Sequence, residues 1–485
     1  MGLLKAKLTD GSVVEFGDQQ IGAGGEKVVF FTKDKKSVVC FFFKNLADRQ
    51  ERRRRLDKIL NNFNPTTGSQ GDYWKTHFCW PTGIIDGDSS IPKAFLTANN
   101  IGDPPLGVIA PAYRGNFFFR NTLGISVEGN GRWFTSATCR KLVPQEHRGN
   151  LLTYLQVCTK MVRAVRRMHF AGLAHSDLSN KNVLIDPKLG DACIIDIDSL
   201  VVPGITPPSV LGTPGYIAPE VKAGKMMSDG RKALPCIETD RYAMAVLIYE
   251  MLLLRHPILR QRPVDPRLSP EEDEHLALGE KATFIEHPAD KSNWPKPPPA
   301  VPMQRLGPFL SDLFLKAFVD GLHDRSKRPG SDQWERGLYR TFDILHPSPA
   351  GTDWFVLAPG MPMQCPFTRK KLTQPVPYAM FYNEKKPGNF VYAGHGLTIY
   401  HNLPLMKWHT IANTSPNETT DRTRQGYFSF HQGKWYLVNE TGHAMQVVNG
   451  PSVPHGQPVE IAKGLQLRVS TQANGRLFVF DFMQP

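Results

Sequence analysis

The octapeptide HSDLSNKN, His175 to Asn182, places an aspartate and an asparagine five residues apart, directly after a long segment whose apolar residues recur at helical spacing. Alone, that spacing would mean little. Fourteen residues beyond Asn182 comes the first aspartate of IIDIDS, followed by GTPGYIAPE from Gly212 to Glu220. Upstream stand a glycine-rich turn beginning at Gly22 and a lysine, Lys44, at the end of an apolar strand. Chance supplies one of these features, hardly all of them in this order.

At 485 residues the chain exceeds what one hydrophobic core usually organises, so two or three domains are expected. A hydrophobic share of 41% with 21% charged residues is that of a folded globular protein, not a disordered one. The longest apolar runs, such as Val38 to Phe43, are strand-length, far short of the roughly 18 to 20 residues a bilayer crossing needs. The start, MGLLKAKLTDG, lacks the sustained apolar core of a signal peptide. The expectation is a cytoplasmic protein without a membrane partner. Seven cysteines are scattered without a C-x-x-C pair, which excludes a zinc ribbon and leaves reduced core residues. His395, His401 and His409 with Cys365 fit no common metal-ligand spacing. The net charge of +13 favours an acidic partner without locating a surface. Part of it lies in RQERRRRLDK, Arg49 to Lys58, which reads first as the solvated face of a helix and second as a docking patch for a phosphorylated or acidic protein. No aromatic residues interleave there, which argues against nucleic acid.

Residues 3 to 16 alternate around Asp10-Gly11, a hairpin signal, and Val28 to Phe31 with Val38 to Phe43 read as further strands. Leu56, Ile59, Leu60 and Phe63 give Arg49 to Phe63 one apolar helical stripe. From about residue 147 the pattern is mainly helical, with Leu151 to Met168 and Arg241 to Leu254 the clearest segments. The proline-rich Lys291 to Met303 reads as a rigid connecting loop, or as a polyproline ligand. Turn-rich stretches around PSPAGTDW and PGMPMQCP suggest a linker. Short strands follow, among them Lys434 to Val438, Met445 to Val448 and Leu477 to Phe482. Trp435, Leu437, Val447 and Leu467 are expected to share one sandwich core. The fold class is α+β: a sheet-rich lobe over residues 1–109, a helical lobe over 110–346, a linker at 347–364 and an all-β sandwich at 365–485. On this reading the sandwich is separable, and removing residues 366–485 leaves a folded, active remainder.

From the glycine-rich turn to Trp334 the chain resembles the eukaryotic-like (Hanks-type) protein kinases, a two-lobed fold. It is similar to a bacterial group marked by a G-x-G-G-E loop, an H-x-x-W-P strand, a D-x-D-S magnesium motif and an R-P-x-x-x-x-W ending. These are GAGGE at Gly22, HFCWP at His77, DIDS at Asp196 and RPGSDQW at Arg328. Members of that group are encoded beside a von Willebrand-type protein and a PP2C-type phosphatase in tellurite-resistance-like clusters, which makes those two proteins candidate partners. The resemblance implies Mg2+ and ATP as cofactors and phosphorylation of protein substrates on serine or threonine, with autophosphorylation. The tail from Gly426 to Leu467 is similar to the second half of a forkhead-associated domain, with Trp435, Asn439, Asn449-Gly450 and Gly464 in suitable order. That implies a β-sandwich that binds phosphothreonine peptides.

The kinase resemblance assigns roles residue by residue. Asp177 is the catalytic base, and Asn182 and Asp196 are the magnesium ligands; the cation's preference for carboxylate and carbonyl oxygen suits both. Gly22, Ala23, Gly24 and Gly25 form the loop whose backbone N–H groups approach phosphates, with Lys27 in the place of the third glycine and Val29 beyond. Lys44 is the cation expected on the α- and β-phosphates. Its helix carboxylate is Glu51, with Asp57 as the alternative. With Ile109 as gatekeeper, adenine is read by backbone groups of Ala110 and Ala112. Ser179 stands where lysine is usual, which makes Lys181 the candidate to reach the transferring phosphate. Ser176 replaces the arginine that would answer a phosphate on the activation segment. Glu220 with Arg328 suggests a buried ion pair, and Asp240 a buttress for the catalytic loop. The alternative to an active enzyme is a pseudokinase scaffold that binds nucleotide and partner proteins without turnover, motivated by Lys27, Ser179 and the ambiguous helix carboxylate. GTPGYIAPE argues against a small-molecule kinase.

Overall fold

The computed structural model describes residues 2–45, 48–207, 212–227, 230 and 232–485. The chain forms two compact units, Met1–Gly149 with Gln156–Pro295 and Leu315–Asp332, and Asn150–Leu155 with Lys296–Phe314 and Gln333–Pro485.

In the first unit, six strands form one antiparallel sheet: β1 (Leu3–Lys7), β2 (Val13–Ala23), β3 (Lys27–Thr32), β4 (Ser37–Phe42), β5 (Gly83–Asp86) and β6 (Leu106–Pro111), in the order β1-β2-β3-β4-β6-β5. The period of two in these strands sorts their side chains onto two faces. Phe16, Phe30 and Phe41 point to one face, where they meet Phe95 with ring centroids 5.1 to 6.3 Å apart. Each such buried ring contributes about 1.5 to 3 kcal/mol. Cys40 and Phe42 point to the other face, where they pack with Leu56 of helix α1 (Arg49–Asn61), Ile84, Leu106 and Val108.

The arginine run of α1 is not a solvated face. Arg52 and Arg55 are buried, Arg49 and Arg53 both pair with Asp86, and only Arg54 of the run is exposed. An arginine stem covers apolar surface as readily as it reaches water, so charge alone did not decide the outward side. The HFCWP segment, expected as a strand, makes only an isolated bridge from Phe78 to Ile194, and its His and Trp have structural partners. Trp80 Nε1 donates to Ile59 O at the far end of α1, and His77 Nδ1 lies 3.1 Å from Ala192 O. Burial pushes the His77 pKa down to about 4, so the ring is neutral.

Below the sheet, the hairpin Val183–Asp186 with Asp191–Ile194 follows the 175–182 loop. The helix Ile237–Leu253 is buried on nearly every side, as its composition demands.

The second unit carries a β-sandwich. One sheet orders its strands Asn389–Thr398, Val376–Lys386, Arg476–Met483, Gln466–Arg468, Met445–Val447 and Ser452–Val453; the other orders Pro404–Met406, Arg424–His431, Lys434–Asn439 and Pro458–Glu460. Leu437 and Leu467 lie in its core, with Trp435 and Val447 packed against it. The stretch 347–364 differs from the expected linker. It contains the strand Trp354–Val356, paired with Leu345–Pro347, and it buries Phe355 and Leu357 in a cluster with Cys365 and Val376. The sandwich is also tied to the end of the helix Ser331–Phe342. Thr398 N donates to Asp343 O, Thr398 Oγ1 donates to Leu357 O, and His409 Nε2 sits 3.1 Å from Asp343 Oδ1. Turn residues marked a linker in the sequence, but their apolar neighbours close a small core instead.

A chain ending at Cys365 removes Val376 from that cluster and the partners of Asp343. It is expected to give insoluble protein or a melting temperature lowered by several degrees, measured by circular dichroism against the full chain. An unchanged melting curve for the remainder would show that the sandwich is dispensable to its neighbours.

Candidate active site

The 175–182 loop is held from both sides. His175 N donates to Asp240 Oδ2 at 2.6 Å, and the buried His175 ring places Nε2 2.8 Å from Ile195 O, next to the DIDS motif. Asp240 is the buttress its position suggested. Ser176 and Asp196 both adopt positive φ, 64° and 63°. Non-glycine residues in that region cost on the order of 1 to 3 kcal/mol each and persist where the surroundings enforce them. Here Ser176 Oγ donates to Ser199 O, and Ser199 Oγ donates to Asp196 O.

Asp177 is oriented by two bonds. Its Oδ1 accepts from Thr213 N at 2.7 Å, and its Oδ2 accepts from Asn182 Nδ2 at 3.0 Å. Asn182 Nδ2 also donates to Asp177 O. The amide nitrogen of Asn182 is therefore engaged, and its carbonyl oxygen is the atom left for a hard cation. Ser179 is fully buried, 3.3 Å from Thr213 Oγ1. Lys181 is exposed, on the rim of a cleft that Asn180 and Thr213 also line.

The lysine paired with Asp196 is Lys27, not Lys44. Lys27 Nζ lies 2.6 Å from Asp196 Oδ1 and 2.6 Å from Asp198 Oδ1. Burial works against its charge, but the carboxylates of Asp198 and Asp196 prevail and hold its pKa well above the ordinary lysine value. At Asp196 burial likewise opposes the charge, and the same pairing outweighs it and lowers the pKa. Lys44 is exposed, beyond the end of β4, with its N–H bonded to Asn100 O. Within β4 it is Cys40 that shares the electrostatic surroundings of Lys27, Asp196 and Asp198, and burial raises its thiol pKa to about 12. The cation thus comes from β3, whose Val29 pairs with Cys40.

Helix α1 supplies no carboxylate to this lysine. Glu51 Oε1 accepts from Thr206 Oγ1 at 3.0 Å, while Asp57 pairs with Arg53. The buried positions of α1 hold arginines: Arg52 pairs with Glu26 at 2.9 Å and lies over the Phe42 ring, and Arg55 donates to Thr206 O. The Lys44–Glu51 pair expected from the sequence does not form.

Gly22, Gly24 and Gly25 have open space where a Cβ would stand, and Gly22 and Ala23 pair with Val29 and Val28. Ala110 lies in β6 opposite Val38, and the N–H of Ala112 is engaged by Lys36 O, so Ala112 continues the sheet pairing and has no donor left for adenine. Beyond it, Tyr113 and Cys79 pack on a buried cluster of Phe117, Leu184, Cys193 and Ile195.

Farther down, Arg328 donates to both oxygens of Glu220 at 2.8 and 2.6 Å, with both side chains buried. Tyr216 donates to Glu250, whose pKa burial raises to about 7. Among the described residues no group of three or more His, Cys, Asp or Glu is placed to hold a metal, the histidines near Cys365 included.

Residues 139–320 match the family model for the protein kinase domain. The serine/threonine-protein kinase PknD of Chlamydia muridarum is 26% identical over 301 residues, covering 52% of this chain and 30% of that protein. A dual serine/threonine and tyrosine protein kinase of Gallus gallus is 39% identical over 99 residues, covering 20% of this chain and 10% of its own. The chain thus spans less than a third of the length of these relatives. A crystal structure of a rhoptry kinase from Toxoplasma gondii covers 70% of this chain and 83% of that chain at 13% identity, with a TM-score of 0.42. The similarity to the protein kinase domain thus covers residues 139–320 of this chain. The matched stretch includes Asp177, Asn182, Asp196 and Glu220 but not the sheet that holds Lys27 and Cys40.

Two outcomes follow from the buried groups. Removing the guanidinium in Arg328→Ala leaves Glu220 charged and unpaired in the interior, and about 3 to 5 kcal/mol of stability is expected to be lost in denaturant titration. Glu250 takes up a proton on folding, because its folded pKa lies above the unfolded value. Its contribution is present below about pH 4.5 and lost as the pH rises through about 7. Glu250→Gln, which cannot ionise, is expected to melt a few degrees above the parent at pH 8, with the difference shrinking as the pH is lowered toward about 4.5.

Proposed function

We propose that the protein is a Mg-ATP-dependent kinase that phosphorylates a protein substrate on serine or threonine and autophosphorylates. The observation that carries this reading is the orientation of Asp177, held by Thr213 N and by Asn182, whose own backbone carbonyl oxygen accepts from Ile195 N next to the Lys27–Asp196 pair. A carboxylate so held is placed to accept the proton of an incoming hydroxyl. Asp196 and the Asn182 carbonyl would hold Mg2+, an oxygen-seeking ion that keeps few protein ligands and completes its shell with water and phosphate oxygens, in agreement with this sparse donor set. When bound, the ion neutralises phosphate charge as transfer proceeds.

Lys27 supplies the cation for the phosphates, and the glycine-rich turn from Gly22 to Gly25, in which the N–H of Gly24 is already bonded to Lys27 O, lets the backbone approach them at Gly25. The apolar cluster around Leu184 and Ile195 offers a surface for the base. Ser179 leaves Lys181 as the further cation available to the transferring phosphate. A scaffold without turnover has no use for an oriented base opposite a paired lysine, which is why the catalytic reading is preferred.

The sandwich is read as forkhead-associated-like. Its buried Asn439 holds the following turn by donating to His443 O and Val453 O. Lys407, Thr441, His443 and Ser470 line a cleft of about 160 Å³ there, a site for a phosphothreonine peptide. A von Willebrand-type protein and a PP2C-type phosphatase are the proposed protein partners, in the cytoplasm. Among the described residues no helix is long and apolar enough to cross a membrane.

Transfer from labelled ATP to a generic protein substrate tests the enzyme reading. Asp177→Ala is expected to lower the rate by roughly 10²-fold or more while nucleotide still binds. Lys27→Met is expected to lose activity to a similar degree, whereas Lys44→Met keeps most of it. Parent protein that binds ATP yet transfers no phosphate would defeat the proposal, and the opposite ranking of the two lysines would return the role to Lys44.

A further inference from the structure

We propose that Asp198, the second carboxylate of DIDS, is the positioning residue that holds the Lys27 ammonium in the nucleotide cleft, in place of the carboxylate that helix α1 lacks. The inference deepens the kinase reading and rests on it.

Three observations converge. The first is the division of labour between the two aspartates. Both lie 2.6 Å from Lys27 Nζ, but the Asp198 side chain is 7% exposed and that of Asp196 34%. Asp196 is the open partner, able to turn toward a cation, whereas Asp198 is enclosed. An ammonium has three N–H donors, so Lys27 can stay bonded to Asp198 while another donor meets a phosphate oxygen.

The second is the sign of charge on α1. Its inward side chains near the sheet are Arg52 and Arg55, engaged by Glu26 and Thr206, and its acidic residues Glu51 and Asp57 point to other partners. A positive helix face cannot pair with a lysine, so the counter-charge has to come from elsewhere. A buried carboxylate such as Asp198 likewise needs a cation to offset its desolvation.

The third is the local backbone. Asp196 at φ 63° opens the short turn Ile197–Ser199, in which Ile197 is buried and Ser199 is bonded to both Asp196 O and Ser176 Oγ. This turn brings side chains two residues apart to the same ammonium, which an extended strand would allow only at a wider separation. The residues of DIDS then divide the work, with Asp196 open to the cation, Ile197 anchoring the turn in the core, Asp198 holding the lysine and Ser199 closing the turn. Lysine placement becomes a property of the turn next to the catalytic loop and does not depend on where α1 sits.

A double-mutant cycle on the full chain tests this. Affinity for a fluorescent ATP analogue with Mg2+ and the rate of autophosphorylation are measured for the parent, Lys27→Met, Asp198→Asn and the double variant. Asp198→Asn is expected to weaken nucleotide binding and slow transfer at least tenfold. Its effect should vanish in the Lys27→Met background, so that the double variant matches Lys27→Met within about twofold. Asp198→Glu should recover part of the loss. Glu51→Gln should show no such coupling to Lys27.

Effects of Asp198→Asn and Lys27→Met that multiply would overturn the proposal, and a shift in the Mg2+ requirement that persists without Lys27 would make Asp198 a metal ligand instead. If Asp198→Asn does not fold, Lys27→Met with Asp198→Leu removes both charges; recovery of a folded chain supports the pairing and continued unfolding refutes it. A parent that binds nucleotide without transferring phosphate defeats the kinase reading alone, because the affinity cycle still reports on Asp198.

Discussion

The ammonium of Lys27, shared between Asp196 and Asp198, joins residues 169 and 171 positions apart and fixes the sheet against the loops below it. The rest of the site is arranged around that contact. Because the cation arrives from β3, the position of β4 that shares its electrostatic surroundings is left to a small neutral thiol, Cys40. Because the counter-charges arrive from DIDS, α1 has no lysine to pair and can carry arginines inward.

Those arginines give α1 a different attachment. Arg55 and Glu51 both bond Thr206, and Lys58 Nζ reaches Pro203 O, so the helix is stitched to the segment that follows DIDS. Trp80 holds its other end through Ile59 O. Arg52 closes the glycine-rich turn from below through Glu26. A helix held at three places by polar contacts to loops needs little apolar surface, and Leu56 and Ile59 are its only fully buried apolar residues.

The second unit follows the opposite logic. Its sandwich has a continuous apolar core, and its polar contacts to Asp343 and Leu357 are few but buried. Buried hydrogen bonds of this kind add modest net stability when made and cost more when one partner is lost. The sandwich is consequently a separate core on a shared base, which the turn-rich composition of residues 347–364 concealed.

What the sequence determined by itself is what depends on local order. The strands around Phe30 and Phe41 and the helix through Leu56 and Ile59 follow from hydrophobic period. The 175–182 loop was marked by its Asp177 and Asn182 among the neighbouring motifs, and the ion pair by Glu220 and Arg328 in theirs. Lys27 was legible in the sequence as a residue of the glycine-rich loop, but its pairing with Asp196 and Asp198 was not, because those partners stand 169 and 171 positions away. Lys44 lay where a motif expects a cation, but β4 ends at Phe42, so that Cys40 stands within the sheet near the site and Lys44 lies beyond it in solvent. The roles of Asp198, Arg52 and Arg55 were likewise decided only by tertiary structure, since the partner of a buried charge is chosen by desolvation and distance across elements far apart in the chain.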